Sequence, residues 1–187
     1  MRRKMLEAAL KRADPPTIFA TMDALVRTSP NVSKLAKDVG TERSVLYRTF
    51  RGEKGPRLSL VVRVLTSAGF RLIVNAHGSH PQNGRPNRIG HWRKTTAHLE
   101  LRSNPRACAK FLTRAFETSD TVAIIKALDD TLRAQENIVE FSKRASFHRS
   151  SIYRSFSPNR DPQFSVVVHF LRALGLRFAV VSPSPPR

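Results

Sequence analysis

Apolar residues recur three and four positions apart in two stretches near the amino terminus, MLEAALKRA (5–13) and IFATMDALV (18–26). This spacing places the apolar side chains on one face of an α-helix. Pro15 and Pro16 lie between the two stretches, and a proline cannot continue a preceding helix. The pattern therefore predicts two separate amphipathic helices.

The stretch NVSKLAKDVGTERSVLYRTF (31–50) shows a shorter apolar pattern. Its first apolar group lies on one face of a short helix that runs to Gly40, where a glycine accepts the positive backbone dihedral of a tight turn. Leu46 and Phe50 are four residues apart and form the buried face of a second helix, which we expect to begin near Glu42. The stretch predicts two short helices joined by a tight turn.

A further helix and a strand complete the pattern. We assign the N-cap of this helix to Ser59, and Gly69 ends it. The β-branched and aromatic run at 70–74 then predicts a short strand. A lone strand in a helical unit leaves unpaired backbone amides, so it needs a partner strand.

The whole pattern occurs twice in the chain. Residues 5–75 align without a gap on residues 111–181, an offset of 106, and 21 of the 71 positions are identical. Such a match indicates two copies of one structural unit. A second strand is predicted at 176–180. We expect the two strands to pair with each other, so that the units face one another as a pseudo-two-fold pair.

These boundaries divide the chain into four parts. The first unit covers residues 1–75 and the second covers residues 105–182. Residues 76–104 are basic, contain Gly and Pro and are interpreted as a linker, in which Trp92 either docks against a helix or stacks on a base. Residues 183–187 are expected to be a disordered tail. The predicted fold class is all-α, mainly helical, with two tandem units that each end in a short strand.

The charge balance indicates the class of partner. The chain has 33 Lys and Arg against 14 Asp and Glu, a net charge of +19, which favours a polyanion such as nucleic acid. No run approaches the ~18 consecutive apolar residues of a membrane-spanning helix. Charged residues also interrupt the amino-terminal apolar segment, which excludes a secretory signal. We expect a cytoplasmic, nucleoid-associated protein with no membrane partner.

The sequence offers little that suggests catalysis or metal binding. A single cysteine, Cys108, excludes an intrachain disulfide and a multi-cysteine zinc site. His77, His80, His91 and His98 lack the companion ligands of a zinc pattern. No phosphate-binding glycine loop and no nucleophile motif is present. We therefore expect no enzymatic activity, no bound metal and no cofactor.

Three segments carry a resemblance to a known family: LAKDVGTERSVLYR (35–48), PRLS (56–59) and LTSAGFRL (65–72). They resemble the Cro/repressor-type helix-turn-helix and look closest to HigA-like (addiction-module antidote) antitoxins and transcriptional regulators. The resemblance covers residues 16–75 and, more weakly, residues 122–181. It implies prokaryotic helical DNA-binding domains that act as a dimer on an inverted-repeat operator.

The outer, solvated face of the helix after the turn carries the candidate DNA-binding residues, because a recognition helix presents that face to the major groove. Arginine suits bidentate contact with guanine, whereas Tyr and Ser more often hold phosphates. Glu42 can accept a hydrogen bond from cytosine, whereas the neutral imidazole of its equivalent, His148, does so only weakly, so the two half-sites should differ. Two linker arginines can follow phosphates or enter a minor groove. The candidates are Glu42, Arg43, Ser44, Tyr47, Arg48, His148, Arg149, Ser150, Tyr153, Arg154, Arg85 and Arg88.

The leading hypothesis is a sequence-specific double-stranded DNA-binding transcriptional regulator, a repressor, that acts as a covalent pseudo-dimer on an imperfect palindromic operator. The alternative is an antitoxin or anti-activator whose main partner is a toxin or another regulatory protein. A third hypothesis is a sequence-indifferent architectural protein, for which the charge alone would suffice. The chain is expected to be a monomer with internal pseudo-symmetry or a homodimer.

Overall fold

The computed structural model describes residues 2–51, 55–76, 101, 104–135, 149–157 and 159–182, with only the backbone described at 149 and 150. We call residues 2–76 the first half and residues 101–182 the second half. The protein is mostly helical, with one small antiparallel sheet. Its elements are α1 (Arg2–Arg12), α2 (Pro15–Arg27), α3 (Val32–Asp38), α4 (Arg43–Arg51), α5 (Leu58–Ser67), β1 (Arg71–Ala76), α6 (Pro105–Glu117), α7 (Thr121–Arg133), α8 (Arg149–Ser155), α9 (Phe164–Ala173) and β2 (Leu176–Val181).

The helix bounds repeat at the offset seen in the sequence. Adding 106 to the bounds of α2 gives those of α7, and adding 106 to those of α5 gives those of α9. Helices α2 and α7 both begin directly after an aspartate that serves as the N-cap. Asp14 accepts from the Thr17 N–H at 3.1 Å, and Asp120 accepts from the Val122 N–H at 2.9 Å. A side-chain acceptor at this position satisfies a backbone donor that has no partner within the helix.

Strands β1 and β2 pair with each other, as the sequence predicts. They are antiparallel, and the middle of the ladder pairs Ile73 with Ala179. Because 73 and 179 are separated by the repeat offset of 106, these residues are equivalent positions of the two halves. An antiparallel ladder centred on equivalent residues has a pseudo-two-fold axis through its centre.

A second contact lies on the same pseudo-two-fold relation. Arg57 and Gln163, which are also separated by 106 positions, form an antiparallel bridge at the starts of α5 and α9. The backbone N–H of Leu58 donates to the Pro162 carbonyl at 2.8 Å, and that of Phe164 donates to the Pro56 carbonyl at 2.9 Å. The two hydrogen bonds are equivalents of each other, so the halves meet symmetrically at two separate places.

Each half also packs a helix against the strand of the other half. Helix α1 packs against β2, and α6 packs against β1, so the first helix of each half covers the strand of the other. The Thr113 hydroxyl of α6 accepts from the Val74 N–H at 2.9 Å and donates to the Val74 carbonyl at 3.0 Å. The buried apolar side chains of both halves form one continuous hydrophobic cluster. Each half therefore depends on the other for part of its core.

One sequence prediction about local structure is wrong. Ser59 is not the N-cap of α5, because the helix already begins at Leu58 and Arg57 occupies the cap position. Ser59 instead donates its N–H and its hydroxyl to the carboxylate of Asp161 in the other half, at 3.1 and 2.5 Å. The first-half strand is also displaced, since it runs from Arg71 to Ala76 rather than over 70–74.

Most of the predicted linker and the predicted tail lie outside the described residues. At the two ends of the linker, the structure describes Ala76 as the last residue of β1 and Leu101 as a buried member of the hydrophobic cluster. The prediction for Trp92 also falls outside the described residues.

Candidate nucleic-acid interface

Helices α3 and α4 form the two short helices and the tight turn that the sequence predicts. Asn31 caps α3 by accepting from the Lys34 N–H at 2.8 Å. After α3 the chain turns through Gly40, which has a φ of +66°, a conformation that favours glycine. The Thr41 N–H donates to the Ala36 carbonyl at 2.9 Å and closes the turn. Leu46 of α4 is then fully buried, which fixes the rotation of α4 about its axis.

The rotation of α4 exposes most of the candidate residues on its first two turns. Glu42, Arg43, Ser44 and Arg48 are all exposed. Ser44 donates its hydroxyl to a Glu42 carboxylate oxygen at 3.3 Å, and Arg43 donates its Nε to the Tyr47 hydroxyl at 3.4 Å. These contacts are at the long end of hydrogen-bond distances, so the polar groups are available to a ligand.

Tyr47 departs from the prediction of a solvated side chain, because it is half-buried. The guanidinium of Arg27 lies 4.7 Å from the centre of its ring, and that of Arg43 lies 5.7 Å from it. Arg27 is held in place by Asp23, to which its Nε donates at 2.7 Å. This hydrogen bond raises the pKa of Arg27 above its ordinary value. Asp23, Arg27 and Tyr47 thus connect α2 to the exposed face of α4.

The same connection recurs in the second half. Arg133 Nε donates to Asp129 at 2.8 Å, and the Arg133 guanidinium lies 5.9 Å from the ring centre of Tyr153. The hydrogen bond to Asp129 raises the pKa of Arg133, as in the first half. Tyr153 is half-buried and Arg154 is exposed, matching the equivalent positions of α4. The connection of aspartate, arginine and tyrosine is therefore built in the same way in both halves.

Arg27 and Arg133 were not among the candidate residues. A signal for them exists in the sequence, because each follows an aspartate by four positions on a predicted helix and both pairs are kept in the two halves. The sequence does not show that the arginines reach the tyrosine rings, since that contact joins helices that are separated along the chain.

The side chains of the remaining candidates lie outside the described part of the chain. Arg149 and Ser150 belong to the first turn of α8, where the structure describes the backbone alone. His148, Arg85 and Arg88 lie outside the described residues. The linker histidines lie there as well. Within the described ranges, no group of three or more His, Cys, Asp or Glu is placed to hold a metal ion.

Comparison with known protein families finds a match in the second half of the chain. The sequence model of a family described as "probable addiction module antidote protein" matches residues 95–182. The match falls on the second half, in which the helix-turn-helix resemblance is weaker. No curated protein and no solved structure is significantly similar to the chain. None of the helices that the structure describes is long and apolar enough to cross a membrane. The second half of the chain is thus similar to antidote proteins of addiction modules.

Proposed function

We propose that the protein is a sequence-specific double-stranded DNA-binding transcriptional regulator, a repressor, in which one chain supplies both reading heads. The observation that carries this proposal is the pseudo-two-fold relation of the halves. Equivalent residues pair at Ile73 and Ala179 in the sheet, and again at Arg57 and Gln163. A two-fold axis is what relates the two recognition helices of a dimeric helix-turn-helix protein.

Helices α4 and α8 are the recognition helices in this proposal, and α3 is the first helix of the helix-turn-helix in the first half. In such dimers the recognition helices enter successive major grooves, roughly 34–36 Å apart. Covalent linkage replaces a bimolecular dimerisation by a high effective concentration, so operator binding would not be lost on dilution. It also allows the two halves to differ.

The candidate residues take distinct roles. Arg48 and Arg154, with Arg43 and Arg149, would contact base edges, and guanine is the base that arginine reads best. Tyr47, Tyr153, Ser44 and Ser150 would hold phosphates and set the position of each helix. The differing pair, Glu42 and His148, makes the operator an imperfect palindrome. Arg85 and Arg88 would lie along the phosphates or in a minor groove.

The test is a selection of tight-binding duplexes from a random pool, followed by fluorescence anisotropy with the wild type and three variants. Arg48→Ala and Arg154→Ala each remove an exposed charge from a recognition helix, whereas Lys11→Ala removes an exposed charge from α1. A lost base contact costs about 1–3 kcal/mol, or roughly 5- to 150-fold in Kd. We expect such losses for both arginine variants and a loss of less than about threefold for Lys11→Ala.

Two results would contradict the proposal. One is a loss of affinity that is equal in all three variants, which would mean that only the net charge matters. The other is the absence of any sequence preference after selection, together with a steep salt dependence, which would indicate an architectural protein.

The family match favours a second candidate function. Residues 95–182 are similar to antidote proteins, which supports an antitoxin or anti-activator whose main partner is a protein. The net charge of +19 suits an acidic partner. A stoichiometric complex with one protein, combined with no DNA affinity above that for an unselected duplex, would favour this function over the first.

A further inference from the structure

A groove runs between α6 and α7 on the outside of the second half. Its volume is about 730 Å³, and its floor is apolar. Leu101 and Ala127 are buried at its base, while Phe111 and Ala115 are half-buried. Phe111 therefore still exposes part of its ring. A groove of this kind accepts the apolar face of an amphipathic helix.

The rim of this groove is strongly basic. Arg106, Lys110 and Lys126 are exposed along it, and Arg114 is half-buried. Asp130 is the single acidic residue among its lining residues. Four cations around an apolar floor favour a partner that is apolar on one face and negatively charged beside it.

The first half provides an internal comparison, because its equivalent surface lies between α1 and α2. There Ala8 stands where the second half has Arg114, and Ala20 stands where it has Lys126. Residues needed only for the shared fold would be expected in both halves. Two of the four rim cations, Arg114 and Lys126, are instead specific to the second half, which is also the half that matches the antidote family.

We propose that the α6–α7 groove is a docking site for an acidic amphipathic helix of a partner protein. Two other occupants are disfavoured by charge. Residues 77–100 of this chain carry four Lys and Arg and a single Glu, and a second copy of the chain carries a net charge of +19. Phosphates of a nucleic acid would suit the rim, but they would leave the apolar floor uncovered.

The groove is separate from the proposed DNA-reading surface. None of its lining residues belongs to α4 or α8. The proposal goes beyond DNA binding and does not depend on it. It names a partner chemistry and a surface, and a bound helix would leave both recognition helices free.

The probe is a fluorescein-labelled peptide of ~15 residues, four turns of helix, with leucines at helical spacing and glutamates on the other face. A peptide of the same composition in scrambled order is its control. Binding to the full chain is measured by anisotropy at about 0.1 M salt, where distant surface charges are screened. We expect saturable binding of the amphipathic peptide and at least tenfold weaker binding of the scrambled one.

Matched variants separate the groove from the overall charge. Lys110→Glu with Lys126→Glu reverses two charges on the rim, and Lys4→Glu with Lys11→Glu reverses two exposed charges on α1. Lys4 is the equivalent of Lys110 in the first half. The rim variant should lose more than about tenfold in peptide affinity and the α1 variant less than about threefold. Phe111→Ala, which removes apolar floor but no charge, should also lose about tenfold.

Three outcomes would overturn the proposal. Equal losses in the two charge-reversal variants would show that only net charge acts, and equal binding of the scrambled peptide would show that the groove has no shape preference. No saturable binding below about 1 mM would show that the groove is not a docking site. Affinity for duplex DNA is measured with the same variants, so that a failure of DNA binding is distinguished from a failure of peptide binding.

Discussion

Asp161 provides the sharpest test of how the halves are joined. Its carboxylate accepts from the Ser59 N–H at 3.1 Å and from the Ser59 hydroxyl at 2.5 Å, across 102 residues of sequence. Ser59 is the second residue of α5, so Asp161 caps that helix from the other half. The equivalent position of the first half is Gly55, and the N-cap Gln163 of α9 makes no side-chain capping hydrogen bond. Among the residues that the structure describes, this cap is therefore found in one half alone.

Replacing Asp161 by alanine removes both acceptors. Loss of a helix cap costs about 0.5–2 kcal/mol, and a hydrogen bond to a charged group contributes about 1.5–3 kcal/mol. Because Ser59 is half-exposed and water can partly replace the carboxylate, we expect a loss near ~2 kcal/mol in the free energy of unfolding. For a chain of this length that loss lowers Tm by about 4–8 °C.

The assay is urea unfolding followed by circular dichroism, with Asp161→Asn and Ser59→Ala as companions. Asparagine keeps an acceptor and caps helices well, so Asp161→Asn should lose less than half as much as Asp161→Ala. The double variant Asp161→Ala with Ser59→Ala should show a coupling of about 1 kcal/mol. A change of less than about 0.5 kcal/mol for Asp161→Ala, with no coupling to Ser59, would refute the cross-half cap.

Three further predictions concern single residues. Gly55→Ala should destabilise the fold by more than about 2 kcal/mol, because φ is +66° and the added Cβ would lie 2.3 Å from a ring carbon of Phe19. Gly69 has a φ of +79° but nothing within 4 Å of an added Cβ, so Gly69→Ala should lose only about 1 kcal/mol from backbone strain. The same urea titrations measure both losses. Burial lowers the pKa of His169 below its ordinary value of 6.5, so the folded protein loses stability as the pH falls below 6.5, where the unfolded chain takes up the proton first. His169→Gln should flatten this part of the pH profile of unfolding. An unchanged profile would contradict the lowered pKa. Burial raises the pKa of Cys108 to about 11, so its thiol should react with a disulfide reagent at pH 8 only as fast as the protein unfolds. Rapid labelling of the folded protein would show that the thiol is accessible and would contradict this prediction.

Some helix ends could be predicted from the sequence because their signals are local, although the start of α5 could not. Asp14 and the following prolines begin α2, and Gly69 follows α5 with the positive φ expected of it. The pairing of β1 with β2 could also be predicted. A single strand needs a partner, and the repeat supplies an equivalent strand in the same chain.

Contacts between distant parts of the chain could not be predicted in the same way. Ser59 has the residue type of an N-cap, but the carboxylate of Asp161 engages it from 102 positions away. Tyr47 was expected on a solvated face, yet Arg27 of α2 covers its ring. The tertiary contact decides the conformation in both cases. The basic face of α4 was predicted because arginine and tyrosine recur in both halves.

The central claim is that one chain reads two half-sites. The most direct measurement is the mass of the complex with the selected operator by native mass spectrometry, combined with footprinting of Arg48→Ala and Arg154→Ala. We expect one 21.1 kDa chain on each duplex, with each variant losing protection of a different half-site. Two chains on each duplex, or the loss of the same half-site in both variants, would contradict it.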